Sequence, residues 1–488
     1  MFNTISPEKA GISSRKIMEF IMAAEDYGMN LHSLIMARGN DILAEAYFSP
    51  IDASFLHRMY SVSKSFVAVA VGLAEQEGLL SLDDPVIKYF PEYAEYPADP
   101  RLETATIRDM LTMRTPMARI PIWWGKHDRV RAYFETEPNQ HPGTSFYYDS
   151  AGCFMAGCIV ERVTGRPFLE YMKDKVLLEI GFSARSYCLK APGGHSLSDS
   201  GVMCTTMDLL IFTRFVANGG VWNGKRYINE EFMRAAVSKQ ADNFTGAPAP
   251  LTDNCGYGYY IWKTPRDGFA FVGMADQLAV YDKDTDFIFI MTAENMGCES
   301  STRALIADWL YRNIIPSPGE PTKADETSEK ELRRFLTTRT LICQKGLDRS
   351  SMTDKINNRK YSADSNPLGI EDIYFNLHED LGVLICNTSQ GDMKIEFGFN
   401  KNRKISFPGN RRIGLVASFY EEGSYDCYAS AAWVDDRTLS IAARVTDTYM
   451  GTLFITAAFL EDKLTLTFYP RSQRLFDNME GTITATAR

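Results

Sequence analysis

The chain has 488 residues, 45% of them hydrophobic and 12% aromatic, with a formal net charge of −10. That length exceeds what one hydrophobic core usually supports, so two domains are expected, and the apolar content excludes disorder over most of the chain. The acidic balance, with no basic stripe, gives no footing to nucleic acid or an anionic membrane as partner.

The opening MFNTISPEKAG has no basic stretch followed by an apolar one. No run approaches the ~18 apolar residues of a membrane span, so a cytoplasmic protein is expected. Ile17, Phe20, Ile21 and Ala24 mark an amphipathic helix over residues 13–27. Two strands follow, His32–Ala37 and Ile42–Phe48, joined through Arg38-Gly39-Asn40-Asp41 as a hairpin. A long, mostly helical middle comes next. Strands return at Tyr257–Trp262, Phe269–Val272, Gln277–Tyr281 and Phe287–Thr292, and a helix covers 302–314. Strands at both ends with helices between them predict an α+β domain: one antiparallel sheet drawn from both ends, flanked by helices and carrying a helical subdomain.

Residues 316–330, PSPGEPTKADETSEK, have a linker's composition, so the domains are placed at 1–315 and 331–488. In the second, Met393, Ile395, Phe397 and Phe399 alternate with polar residues or glycine. Leu464, Leu466 and Phe468 alternate with threonine, Leu439, Ile441, Ala443 and Val445 do so less cleanly, and Leu453–Leu460 is mostly apolar. This period predicts an all-β meander of roughly eight strands, barrel or sandwich, its edges removed by closure or docking. The nine cysteines form no C-x-x-C pair and lie in apolar segments. Reduced, mostly buried thiols are therefore expected, with neither a zinc site nor a disulfide framework.

The chemistry concentrates at Tyr60-Ser61-Val62-Ser63-Lys64. An apolar run from Phe66 to Leu73 follows and Gly78 closes the segment, so Ser61 sits at the start of a buried helix with Lys64 on the same face. A serine hydroxyl needs a base before it attacks, a lysine can be that base if desolvation lowers its pKa, and the helix N-terminus offers N–H groups to an oxyanion. The bland alternative is a helix cap beside a solvated lysine. Ser13-Ser14-Arg15-Lys16 has the same spacing, but Lys16 begins an amphipathic surface helix, and there the cap reading holds.

The segment Leu56–Tyr93, with MYSVSKSF, AEQEGLLSLDDPV and IKYFPEY, resembles the S-x-x-K region of class C β-lactamases and related esterases, within the serine β-lactamase and penicillin-binding-protein superfamily. Further likenesses come in the family's order: Leu111-Thr112-Met113, with Pro116 where glycine is usual; FYYDSAGCFMAGCIVERVTG at 146–165; Ser200–Asp208; NGGVWNGKRYI; and GYGYYIW at 256–262. The resemblance spans residues 5–314 and implies a β-lactamase/transpeptidase-like fold for the first domain. It makes Tyr148-Asp149-Ser150 the second motif, chosen from six Tyr-x-Ser/Asn tripeptides (the others begin at Tyr47, Tyr227, Tyr311, Tyr374 and Tyr428) because a helix follows it. By resemblance Tyr148 relays protons and activates the deacylating water, and Ser150 helps hold Lys64.

The third motif maps by resemblance to Phe271-Val272-Gly273-Met274. Gly273 lets the backbone approach a ligand, Phe271 stands where a cation or histidine is common and is expected to offer apolar surface to a neutral acyl or leaving group, and the Met274 N–H joins that of Ser61 in an oxyanion hole. Gln277 completes a G-x-x-x-Q pattern seen in related esterases. Lys263-Thr264-Pro265 is the nearer letter match, but a turn follows it. The six histidines, His32, His57, His127, His141, His195 and His378, form no evident triad with Ser61. Trp123 and Trp124 beside His127 line a pocket or simply pack a loop.

These residues predict a serine hydrolase that forms an acyl-enzyme with a small ester or amide. No metal or organic cofactor is called for, and no nucleic-acid or membrane partner is expected. Two alternatives stay open: a ligand-binding protein that never turns over, and a D-amino-acid peptidase or carboxypeptidase, which would require export.

Overall fold

The computed structural model describes residues 2–93, 99–117, 128–244, 250–252, 254–315, 323, 325–389, 391–407, 411–412, 420–421, 423–472, 475–476 and 478–488. The chain forms two compact units, Met1–Thr340 and Leu341–Arg412 with Tyr420–Arg488.

The first unit is built on a seven-stranded sheet. Its strands are β1 (Asn3–Thr4), β2 (Leu31–Arg38), β3 (Asp41–Tyr47), β4 (Trp262–Lys263), β5 (Phe269–Gly273), β6 (Gln277–Asp282) and β7 (Phe287–Ala293), in the order β1-β3-β2-β7-β6-β5-β4. All pairings are antiparallel except β1 with β3. Every residue of β7 is buried, as befits a central strand covered on both faces. Phe289 meets Phe20 of helix α1 (Ser14–Asp26) at 5.8 Å between ring centroids. Its neighbours Ile288 and Ile290 join the core that also holds helices α2 (Ser63–Gln76), α3 (Ser150–Thr164) and α4 (Thr206–Ala217). Successive strand side chains point to opposite faces, so helices cover the sheet from both sides. The α+β layout, with the sheet drawn from both ends of the unit, is as the sequence predicts.

Two stretches depart from the predicted elements. Only Trp262 of the expected Tyr257–Trp262 strand is in the sheet. Tyr260 adopts φ 53°, and a Cβ on Gly258 would strike the carbonyl of Ala236, so the chain is kinked and packed too closely to extend. The predicted 302–314 helix begins earlier, as α5 (Glu299–Trp309), and ends in a π-helical turn over Leu310–Ile314. Residues Glu326–Thr337, which overlap the charged stretch read as linker, form helix α6 within the first unit.

The second unit is a closed barrel. Its strands are β8 (Tyr361–Ala363), β9 (Ile370–Leu377), β10 (Leu381–Thr388), β11 (Gly391–Phe399), β12 (Arg403–Phe407), β13 (Tyr425–Trp433), β14 (Thr438–Thr446), β15 (Met450–Leu460), β16 (Lys463–Ser472) and β17 (Gly481–Ala487). They pair in the order β11-β10-β9-β8-β17-β16-β15-β14-β13-β12, and a parallel pairing of β11 with β13 closes nine of them into a ring. Closure removes the free edges of those nine. The period-2 pattern resolves as expected: Ile395, Phe397, Leu464, Leu466 and Phe468 point into a core with Trp433, while Glu396, Thr465 and Lys463 face out.

Candidate active site

Ser61 lies in a short 3-10 turn, Tyr60–Val62, that runs directly into α2. Residues Ser63–Ala74 of that helix are all buried, so Lys64 is carried into the interior and is 1% exposed. Its ammonium donates to Ser61 Oγ at 2.9 Å and to the carbonyl of Asp199 at 2.9 Å. Tyr60, just before the serine, sits at φ 45°, a conformation that costs a non-glycine residue on the order of 1–2 kcal/mol. Contacts on every side hold this turn. Met59 N–H donates to the Val202 carbonyl at 2.8 Å, Val202 N–H donates to Ser63 Oγ at 3.0 Å, and Arg58 Nε donates to the Ser200 carbonyl at 3.0 Å. The Arg58 guanidinium also stacks 4.6 Å from the Tyr60 ring.

Tyr148 ends the loop before α3, and Lys64 Nζ lies 5.1 Å from its ring centroid. Two contacts with the Leu111–Met113 segment fix that loop. Tyr147 N–H donates to the Met113 carbonyl at 2.8 Å, and Asp149 N–H reaches Met113 Sδ at 3.1 Å. The Tyr148 ring stacks on Trp262 at 5.6 Å and 15° and meets Tyr257 edge-on. Phe146 packs against both Tyr257 and Trp262, so one wall of the site is aromatic.

Burial alone would lower the Lys64 pKa. The charge interactions with Tyr148, then Asp199, outweigh it, and the net direction is upward. Lys64 is therefore held as an ammonium, which reverses the expectation that desolvation would make it the base. The carboxyl of Asp149, which caps α3 by accepting from Ala151 N–H, is raised to about 6 by burial, against hydrogen bonds from Thr115, Gly152 and Ala151.

Gly273 ends β5 against the nucleophile turn. A Cβ there would lie 2.5 Å from the Met59 carbonyl oxygen and 3.0 Å from Gln277 Cβ, so only glycine permits this approach. It sets Met274, which is partly exposed, beside the Ser61 turn. Gln277 is fully buried and braces the same loop, donating to the carbonyls of Met274 at 3.1 Å and Ala293 at 2.7 Å.

Two sequence-based assignments change. Ser150 is the first residue of α3 and is not a hydrogen-bond partner of Lys64; the Asp199 carbonyl holds the ammonium instead. Phe271 is 1% exposed and packs on Phe212 and Phe269 at 5.5 and 5.3 Å, so it is core and offers no surface to a ligand. Strand alternation sends it toward α4. Trp123, Trp124, His127, Arg119 and Lys126 lie outside the described residues. The sequence reading missed Asp199, one residue short of the matched Ser200–Asp208 segment, and gave no role to Trp262 although it quoted the motif. It also missed Asp276, which ends the short 3-10 turn between two strands and is fully buried.

The fold and this site define a serine hydrolase of the β-lactamase/transpeptidase-like class. Residues 23–310 match the Beta-lactamase family model, and the chain belongs to that family. The chain is 26% identical over 282 residues to the 6-aminohexanoate-dimer hydrolase of Paenarthrobacter ureafaciens, covering 53% of this chain and 71% of that protein. It is 22% identical over 177 residues to penicillin-binding protein 4* of Bacillus subtilis, covering 31% of this chain and 36% of that protein. A solved structure from Bacillus anthracis, provisionally assigned as a 6-aminohexanoate-dimer hydrolase, superposes with a TM-score of 0.52 at 16% identity, covering 64% and 88% of the two chains; it supports the fold alone. Among the described residues, no helix is long and apolar enough to cross a membrane.

Proposed function

We propose that the protein hydrolyses a small, uncharged ester or amide through a covalent acyl-enzyme on Ser61. The observation that carries this reading is the buried Lys64 ammonium donating to Ser61 Oγ at 2.9 Å beside Tyr148. Ser61 Oγ attacks the carbonyl carbon while Tyr148, acting as the phenolate paired with the Lys64 ammonium, takes its proton. Lys64 stabilises negative charge on both oxygens. The tetrahedral oxyanion is bound by the N–H groups of Ser61 and Met274. Collapse expels the alcohol or amine, which leaves with the proton from Tyr148. Water then attacks the acyl-enzyme, Tyr148 takes the water's proton and returns it to Ser61 Oγ, and the acid leaves.

The preference for an uncharged substrate rests on the site's walls. Tyr148 and Trp262 present apolar aromatic surface, which suits an uncharged acyl or leaving group. The test compares kcat/KM for p-nitrophenyl butyrate, the anilide of the same acid and a chromogenic cephalosporin. The ester and anilide are expected to be preferred. A higher kcat/KM for the cephalosporin would overturn the proposed preference, and stoichiometric labelling without product would favour a ligand-binding protein.

A further inference from the structure

The backbone after Gly273 is strained at two consecutive residues. Ala275 and Asp276 have φ of 58° and 66°, in the left-handed region that disfavours side chains with a Cβ. Such a stretch persists only where its surroundings hold it. The fully buried Asp276 carboxylate accepts from Arg303 Nε at 2.8 Å, from Asn295 Nδ2 at 3.1 Å and from the Thr302 hydroxyl. Arg303 also donates to the Gly273 carbonyl at 2.9 Å, and Asn295 N–H donates to the Ala275 carbonyl at 3.2 Å. Gly273, Ala275 and Asp276 are thereby tied to α5 or the turn after β7, and Met274 is held between them by Gln277.

Asn295 has a second attachment. Its Oδ1 accepts from Asn30 N–H at 2.9 Å. Asn30 Nδ2 faces His32 Nε2 at 3.3 Å, His32 Nδ1 faces His57 Nε2 at 2.8 Å, and His57 Nδ1 faces the Arg58 carbonyl at 3.1 Å. One arrangement of protons satisfies all three contacts: Asn30 donates to His32, His32 to His57, and His57 to the Arg58 carbonyl. Both imidazoles are then neutral, in accord with the burial that holds His57 down near 4. These side chains are all buried. A continuous polar chain thus runs from the Arg58 carbonyl, three residues before Ser61, to Asp276, two residues after Met274. Apolar residues would fill this interior without hydrogen bonds to satisfy, so the chain's value lies in geometry.

We propose that this buried chain, jointed at Asn295, fixes the spacing between the Ser61 and Met274 amides, and that Asn295 and Asp276 are positioning residues for oxyanion stabilisation. The inference rests on the acyl-transfer reading above. Oxyanion donors act on charge that develops in the transition state, so misplacing one lowers kcat and leaves KM nearly unchanged. A residue that served packing alone would move stability instead.

The test is Asn295→Asp, which keeps the size and the acceptor toward Asn30 and replaces the donor toward Asp276 with a second acceptor. Turnover of p-nitrophenyl butyrate and the Ki of phenylboronic acid, whose serine adduct places an oxygen in the oxyanion hole, are measured in wild type and variant. The expected result is a fall in kcat of about tenfold to a hundredfold, a KM within about threefold of wild type, and a matching rise in Ki. A folded variant with wild-type kcat and Ki would overturn the inference. If Asn295→Asp does not fold, Thr302→Val removes one donor to Asp276 more gently; it is expected to lower kcat at constant KM, and wild-type values there would overturn the inference equally. The two readings fail differently. A wild type that neither turns over the ester nor is labelled at Ser61 refutes acyl transfer and this inference with it, whereas an active wild type with unaffected variants refutes only the positioning role.

Discussion

Lys64 donates one hydrogen bond to Ser61 Oγ and another to the Asp199 carbonyl, both at 2.9 Å, from a position 1% exposed to solvent. A buried ammonium is costly unless its hydrogen bonds and charge are answered. Here they are answered by the nucleophile itself, by a backbone carbonyl and by Tyr148. The aliphatic stem lies in the core of α2, so the head group has little freedom to leave. The charge is spent on the reacting oxygen and not on solvent.

Replacing Lys64 with methionine tests that reading. The side-chain volume is kept and the buried charge removed. The expected outcome is a folded protein whose kcat for p-nitrophenyl butyrate falls by about 10²–10⁴, with KM little changed and thermal stability no lower than wild type. Circular dichroism and steady-state kinetics check it. A kcat within about threefold of wild type would show that the ammonium does not act on the reacting oxygens.

Phe271→Lys separates the third-motif resemblance from the packing. Were position 271 open to the site, the new cation would favour a carboxylate-bearing cephalosporin. Because Phe271 is core beside Phe212 and Phe269, the variant is expected to lose on the order of several kcal/mol of stability and to gain nothing toward the cephalosporin. Thermal unfolding with parallel kcat/KM measurements decides between them.

Two buried groups make opposite pH-dependent contributions to stability. His57 is pushed down to about 4 from an ordinary 6.5 by burial. Its contribution is full above 6.5 and is lost as pH falls through about 4. Asp149 is raised by burial to about 6 from 3.8, so its contribution is full below 3.8 and is lost as pH rises through about 6. Between these limits the slopes oppose, each by up to about 1.4 kcal/mol per pH unit. Relative to wild type, Asp149→Asn is expected to gain stability more steeply as pH rises from 4 to 6, and His57→Gln to lose it. Urea midpoints across that range measure both, and parallel curves for all three proteins would contradict the assignment.

The fold was legible where period and composition agree. The amphipathic spacing of Ile17, Phe20 and Ile21 and the alternation through Met393–Phe399 and Leu464–Phe468 each fix one face, and one face suffices to place an element. Ser61 and Lys64 were legible because a lysine at the start of a buried, mostly apolar helix needs a reason, whereas the same spacing at Ser13 opens an amphipathic helix. The 256–262 segment was not, since its apolar letters hide a left-handed Tyr260 and a crowded Gly258. Phe271 was misjudged for a related reason: a motif gives a position on a strand, whereas the strand's tilt and neighbours decide which way the side chain is covered. Asp199 holds Lys64 through a backbone carbonyl, which any residue type supplies, and its charge adds to the same effect from a position that no matched motif includes. The Asn30–His32–His57 chain joins residues far apart in sequence, and only the pairing of β2 with β7 brings Asn30 to Asn295.

The central claim is that Ser61 carries the acyl group, and intact-mass spectrometry with peptide mapping after exposure to a fluorophosphonate tests it most directly. Wild type is expected to gain one phosphonyl adduct, mapped to Ser61, with loss of ester hydrolysis in step; Ser13→Ala should label in the same way, and Ser61→Ala should neither label nor turn over. An adduct at another residue, or undiminished hydrolysis by Ser61→Ala, would contradict the account.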